Sequence, residues 1–135
     1  MIGKVVYNIL YNDASVQAVV GTRIYPGQAN EGAVYPHLVY HLVSNAPGDH
    51  KDSGTEFDRK RVQVDCLTED YDDCEDLADK VRTALDRAKD EQTTEGVLVK
   101  TILYQGEVDL NEYAASVGAD SEVFHRAVDF IIITG

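Results

Sequence analysis

Near Glu69 the spacing of apolar residues changes once and sharply, and that change limits the folds open to this chain more than any single side chain. From Arg61 to Cys66 apolar and polar residues alternate, with Val62, Val64 and Cys66 on one face and Arg61, Gln63 and Asp65 on the other. This is the period of a half-buried strand. From Tyr71 onward the apolar positions are Tyr71, Cys74, Ala78, Val81, Leu85 and Ala88, steps of three and four that line one side of a helix. A strand therefore feeds a long amphipathic helix.

The same reading extends along the chain. Ile2, Val5, Val6, Ile9 and Leu10 mark a first helix with one apolar side. Asp13 is placed to cap a short helix over residues 14–20, which Gly21 would end. Residues 23–26 form a brief extended piece cut off by Pro26, and a loop over residues 27–33 follows. The next strand spans residues 37–44, with Leu38, Tyr40 and Leu42 on one face and His37, Val39, His41 and Val43 on the other. Residues 45–56, with Pro47, two glycines and many charges, read as a long mobile loop before a return strand over residues 57–68. After the helix come a polar connection (residues 90–96), a strand (97–108), a second sizeable loop (109–121) and a last strand (122–134). That last strand is continuously apolar at Phe130-Ile131-Ile132-Ile133, which predicts cover on both faces. The order predicts one α+β domain over residues 1–135, with helices packed on a mainly antiparallel or mixed sheet of about four to five strands.

A chain of 135 residues is near the commonest single-domain size. No apolar run approaches the roughly 18 residues needed to span a bilayer. Met1-Ile2-Gly3-Lys4-Val5 lacks the pattern of a secretory signal, so the expected place of synthesis is the cytoplasm.

The net charge of -12 is uneven. Residues 1–68 hold six bases and seven acids, a balance of -1, and residues 69–135 hold six bases and seventeen acids, a balance of -11. Glu69, Asp70, Asp72, Asp73, Glu75 and Asp76 crowd the start of the long helix, and Lys80, Arg82, Arg87 and Lys89 lie toward its end. That ordering suits the helix dipole. It supplies no basic stripe of the kind nucleic-acid binding modules present.

Chemistry-bearing patterns are sparse. Cys66 and Cys74 fall on inward faces and read as buried free thiols. His37 and His41 are four apart in a strand, about 13 Å, too far to share one metal ion, and read as surface or interface histidines. Residues 70–75 would need glycine where Glu75 stands to be a calcium loop. The sequence contains no G-x-S-x-G, G-x-G-x-x-G or Walker loop. No catalytic, metal or cofactor-binding residue is expected, and no enzyme.

Tyrosine is enriched, eight copies against three phenylalanines, and it suits surfaces where a ring is buried while its hydroxyl stays wet. Arg59, Arg61 and Arg126 lie in strands, either to pair with acids of a neighbouring subunit or to guard sheet edges with charge.

The succession of these segments resembles the tail-completion family of long-tailed bacteriophages. The resemblance rests on the N-terminal helix, Asp13 to Gly21, Arg23-Ile24-Tyr25-Pro26, and Tyr35-Pro36-His37-Leu38-Val39-Tyr40 with nearby Ser44. It continues through Arg61-Val62-Gln63-Val64-Asp65-Cys66, Leu77-Ala78-Asp79-Lys80-Val81-Arg82-Thr83-Ala84-Leu85 and His125-Arg126-Ala127-Val128-Asp129-Phe130. The acidic stretch over residues 109–121 is longer than the family pattern.

The resemblance implies a structural tail terminator: a subunit of a ring, six-membered by that likeness, that stops growth of the tail tube and joins it to the head connector. The implied partners are copies of itself, the tail tube protein and the head-completion protein. Genomic DNA would pass the lumen non-specifically, no membrane is involved, and the location is the tail or neck of the virion. Six copies at -12 each would carry a formal charge of -72, and acids facing the lumen would repel passing DNA. Residues expected at a subunit or tail interface are Tyr25, Tyr40, His41, Asp49, Lys51, Arg59, Arg61 and Arg126, with residues 45–56 as a docking loop. A head–tail adaptor or minor tail protein is the alternative, and a small enzyme or ligand-binding module the third reading.

Overall fold

The computed structural model describes residues 2–29, 32–46, 58–88, 90–94, 97–110 and 123–134. In chain order they form α1 (Ile2–Asn12), α2 (Ala14–Val20), β1 (Ile24–Pro26), β2 (His37–Ala46), β3 (Asp58–Thr68), α3 (Tyr71–Leu85), β4 (Asp90–Thr94), β5 (Val97–Asp109) and β6 (Phe124–Thr134). The strands make one mixed sheet in the order β1-β2-β3-β6-β5-β4. Among the described residues only the β1–β2 pair is parallel. The α+β class read from the sequence is therefore the fold observed.

Period two along the strands and period 3.6 along the helices meet in one core. The even positions of β3 and β6, Val62, Val64, Cys66, Val128, Phe130 and Ile132, are buried beneath Val5, Val6 and Leu10 of α1, Val16 and Val20 of α2, and Leu77, Ala78, Val81 and Leu85 of α3. Each large apolar side chain removed from water there contributes about 1.5–3 kcal/mol. The helix starts are capped as their sequences suggest: Asp13 accepts from Val16 N–H and Asp70 from Asp72 N–H. Gly21, at φ 59°, closes α2, a backbone state that costs a side-chain-bearing residue energy.

Three sequence expectations change. The long helix stops at Leu85, short of Ala88: Asp86 Oδ1 accepts from Tyr104 N–H at 3.2 Å, Arg87 takes φ 63°, and Arg87 N–H donates to Ile102 O. Residues 90–94, expected as part of a polar connection, form the edge strand β4. Ile131 and Ile133, expected to be covered, are only half-buried, because among the described residues no helix packs on their side of the sheet.

The strand ladders fix what stands on that uncovered face. β3 and β6 pair antiparallel along eleven residues, Arg61 opposite Ile131 and Arg59 opposite Ile133, and β5 places Leu103 opposite Ile131. The odd positions of β3 and β6 thus share a surface with Leu103, on the side away from α3.

Candidate interaction site

The uncovered sheet face holds a polar network at its centre. Asp65 sits on β3 among side chains from both neighbouring strands: His125 Nε2 of β6 lies 3.1 Å from one carboxylate oxygen and His41 Nδ1 of β2 lies 3.7 Å from the other. Gln63 Nε2 donates to Asp65 at 2.7 Å. Burial alone would raise the Asp65 carboxyl. The hydrogen bonds from His125 and Gln63, helped by the charges of His125 and His41, outweigh it and hold the group below its ordinary value. His41 and His125 thus face a carboxylate across strands, which the spacing of residues in sequence did not show. Among the described residues no group of three or more His, Cys, Asp and Glu is arranged to hold a metal ion.

Toward one end of the same face polarity gives way to apolar surface and positive charge. Arg59 and Arg61 are exposed, and Arg61 reaches Asp129 at 3.3 Å while staying about half exposed. Beside them stand half-buried Ile131 and Ile133 and exposed Leu103, with Val43 about half exposed on β2.

The opposite end, beyond Thr68, carries a different set. Arg126 belongs to the core-side positions of β6 and is only 8% exposed. Its Nε donates to Asp109 Oδ1 at 2.6 Å, its Nη2 donates to Tyr71 Oη at 3.0 Å, and its Nη1 lies 3.6 Å from Glu107. The hydrogen bond from Arg126 is the main cause that holds the Asp109 carboxyl below its usual range, and the same pairing raises the guanidinium. Around this knot the surface is acidic and apolar: Glu69, Asp70, Asp72 and Asp73 are exposed, as are Tyr71 and Leu110.

The sequence-derived interface residues therefore divide. Arg59, Arg61 and the more enclosed His41 share the uncovered face. Arg126, grouped with the other two arginines by its place in a strand, lies on the opposite side of the sheet, where its charge is engaged within the chain. Tyr40 points to the helices, with α1 so close that a methyl group on Gly3 would come 3.3 Å from its ring. Tyr25 is half-buried, its ring edge-on to His37 at 5.7 Å. His37, expected at a surface, is buried: Tyr25 and Tyr35 pack on it, its Nδ1 contacts Val34 O at 3.2 Å, and burial lowers its pKa. Asp49 and Lys51 lie outside the described residues, with most of the expected docking loop. Asp65 and Asp109 were not singled out from the sequence, although the two-residue repeat puts Asp65 on the same face as Arg61 and Arg126 on the same face as Val128.

Cys66 and Cys74 are buried free thiols, as expected, with Cys74 Sγ donating to Cys66 O at 3.5 Å. Burial pushes both thiols up. A shallow groove of about 260 Å³ lies on the β2 side between Gly3, Pro26 and Leu42. No helix among the described residues is long and apolar enough to cross a membrane.

Comparison with known proteins places this geometry. The model of the family described as Tail completion protein gp17 matches residues 4–135. The chain belongs to that family. It is a structural protein of the phage tail, as the resemblance in its sequence implied. Comparison with curated proteins finds no match. Among solved structures, a chain of the virion of a native gene transfer agent particle is similar in fold, with a TM-score of 0.72 at 17% identity, over 96% of this chain and 92% of that one.

Proposed function

We propose that the chain is a tail terminator: copies of it form a ring, six-membered by the family likeness, that caps the finished tail tube and joins it to the head connector. The observation that carries this reading is the family match over residues 4–135, which takes in every strand of the sheet and nearly all of the helices. The occurrence of a similarly folded chain in a phage-like virion particle supports it. The surface chemistry suits a role of contact. At the sheet centre Asp65 is held against His41, Gln63 and His125, and the exposed groups form charged and apolar patches fit for macromolecular neighbours.

In this reading the protein has no catalytic role and needs no cofactor, and its partners are other copies, the tail tube protein and a head-completion protein. Its interface includes Arg59, Arg61, His41 and Tyr25. Asp49 and Lys51 belong to the segment that docks on the tube. Arg126 and Tyr40 act by holding the interface-bearing elements in place. The excess of acids over bases, -12 per chain, keeps the ring from adhering to DNA in passage.

Purified chain added to growing tail tubes tests the proposal. The expected result is tubes that stop elongating and carry extra density at one end by electron microscopy. Tubes that elongate unchanged, with the chain absent from their ends, would overturn it. An adaptor would bind the head side and leave tube growth unaltered.

A further inference from the structure

The molecule is polar along its strands. β3 runs from Asp58 to Thr68, and at about 3.3 Å per residue Arg59 and Thr68 stand roughly 30 Å apart. Near Arg59 the described surface is basic and apolar: Arg59 and Arg61 beside Leu103, Ile131 and Ile133 on the face without helices. Past Thr68, at the start of α3, it is acidic and apolar: Glu69, Asp72 and Asp73 around Tyr71 and Leu110, which are 39% and 40% exposed. Arg126, near that acidic end, is turned inward onto Asp109, so its charge is engaged away from the exposed acids.

We propose that these two ends bind each other between copies: the Tyr71 end of one subunit docks on the Arg59–Arg61 end of the uncovered sheet face of the next. This inference rests on the ring reading above. The occupant is a second copy because each end presents what the other lacks, an apolar centre with a rim of opposite charge. Two different patches on one chain give a head-to-tail contact, which closes into a ring when the rotation per step divides a full turn. Tyr71 and Leu110 lie against Leu103, Ile131 and Ile133, while Glu69 and Asp72 face Arg59 and Arg61. Arg61 keeps its intramolecular partner Asp129 at 3.3 Å, so Arg59 carries the larger share of the attraction. The charged rim makes association faster and tighter at low salt.

Charge reversal on the two ends separately tests the contact. Arg59→Glu with Arg61→Glu gives one variant, and Glu69→Lys with Asp72→Lys the other. Each is first checked for a native circular-dichroism spectrum, and sedimentation velocity is then measured for the protein alone and with tail tubes. The wild-type chain is expected to associate, and each variant to associate at least tenfold more weakly. An equimolar mixture of the two variants should recover association, because every junction in an alternating assembly then pairs opposite charges. Wild-type assembly left intact by either reversal, or lost in both and not recovered by mixing, would overturn this contact and leave the ring standing. A wild-type chain that stays monomeric in both settings would overturn the contact and the ring together. If a reversal variant fails the spectral check, the single changes Arg59→Glu and Glu69→Lys are read in the same way.

Discussion

Arg126 of β6 and Asp109 at the end of β5 are joined by a hydrogen bond of 2.6 Å from Nε to Oδ1, and Tyr71 at the start of α3 shares both of them. One guanidinium therefore ties two strands and the long helix together, at the end of β5. Leu110 N–H donates to His125 O directly beside it.

Removing that tie should loosen the acidic end. Arg126→Ala is expected to lower stability by about 2 kcal/mol, the scale of hydrogen bonds to charged groups, and to lower the urea midpoint accordingly. Arg126→Lys should recover only part of the loss, because an ammonium does not reproduce the guanidinium fork. An Arg126→Ala variant as stable as the wild type would show that the knot adds nothing to the fold.

The Asp65 cluster makes an acid-side prediction. Its folded pKa is depressed, so its contribution is fully present above the unfolded carboxyl value of about 3.9 and is lost as pH falls through the lower folded value. Asp109 works in the same direction. Asp65→Asn is expected to cost about 1–3 kcal/mol at pH 7, and the gap between variant and wild type should narrow below about pH 4. Urea titrations at pH 7, 5, 4 and 3 check this. A gap that stays constant would show that Asp65 contributes through packing alone.

Cys66 and Cys74 give the alkaline counterpart. Their thiols are pushed up in the folded chain, whereas unfolded thiols ionise near pH 8.5. Stability is therefore complete below that value and declines as pH rises through and above it. A thiol-reactive dye should label neither cysteine in the native protein at pH 8 and both in denaturant. Rapid native labelling would place them at the surface.

Leu77 is fully buried on the side of α3 that faces the sheet. Leu77→Ala should cost about 2–5 kcal/mol from lost transfer energy and the cavity left behind, measured by thermal or urea unfolding. A cost below 1 kcal/mol would mean that α3 is not packed on the sheet as described.

Much of this architecture is written in periodicity. Val62, Val64 and Cys66 alternate and Cys74, Ala78, Val81 and Leu85 step by three and four, because one side of each element must leave water. The signal fails where burial does not impose it. β4, with the sequence Asp-Glu-Gln-Thr-Thr, is an edge strand whose pairing to β5 is a backbone affair, so composition concealed it. Ile131 and Ile133 read as doubly covered, yet they stand half-buried on an uncovered face, and surface of that kind is what a partner would bury. The end of α3 depends on Asp86 meeting a backbone N–H of β5, eighteen residues away, a relation no local pattern records. The interface residues were readable only in part. Arg59 and Arg61 follow from strand parity, whereas the pairing of Arg126 with Asp109 and of Asp65 with His125 arises when distant strands come together.

The central claim is that this chain ends the tail tube and couples it to the head. Electron microscopy of particles made without the gene, scored for tail length and head attachment, tests it most directly. The account predicts overlong tails lacking heads, with normal length and attachment restored when the wild-type chain is supplied. Tails of normal length beside full heads that leak DNA would contradict it and assign the chain to the head side of the joint.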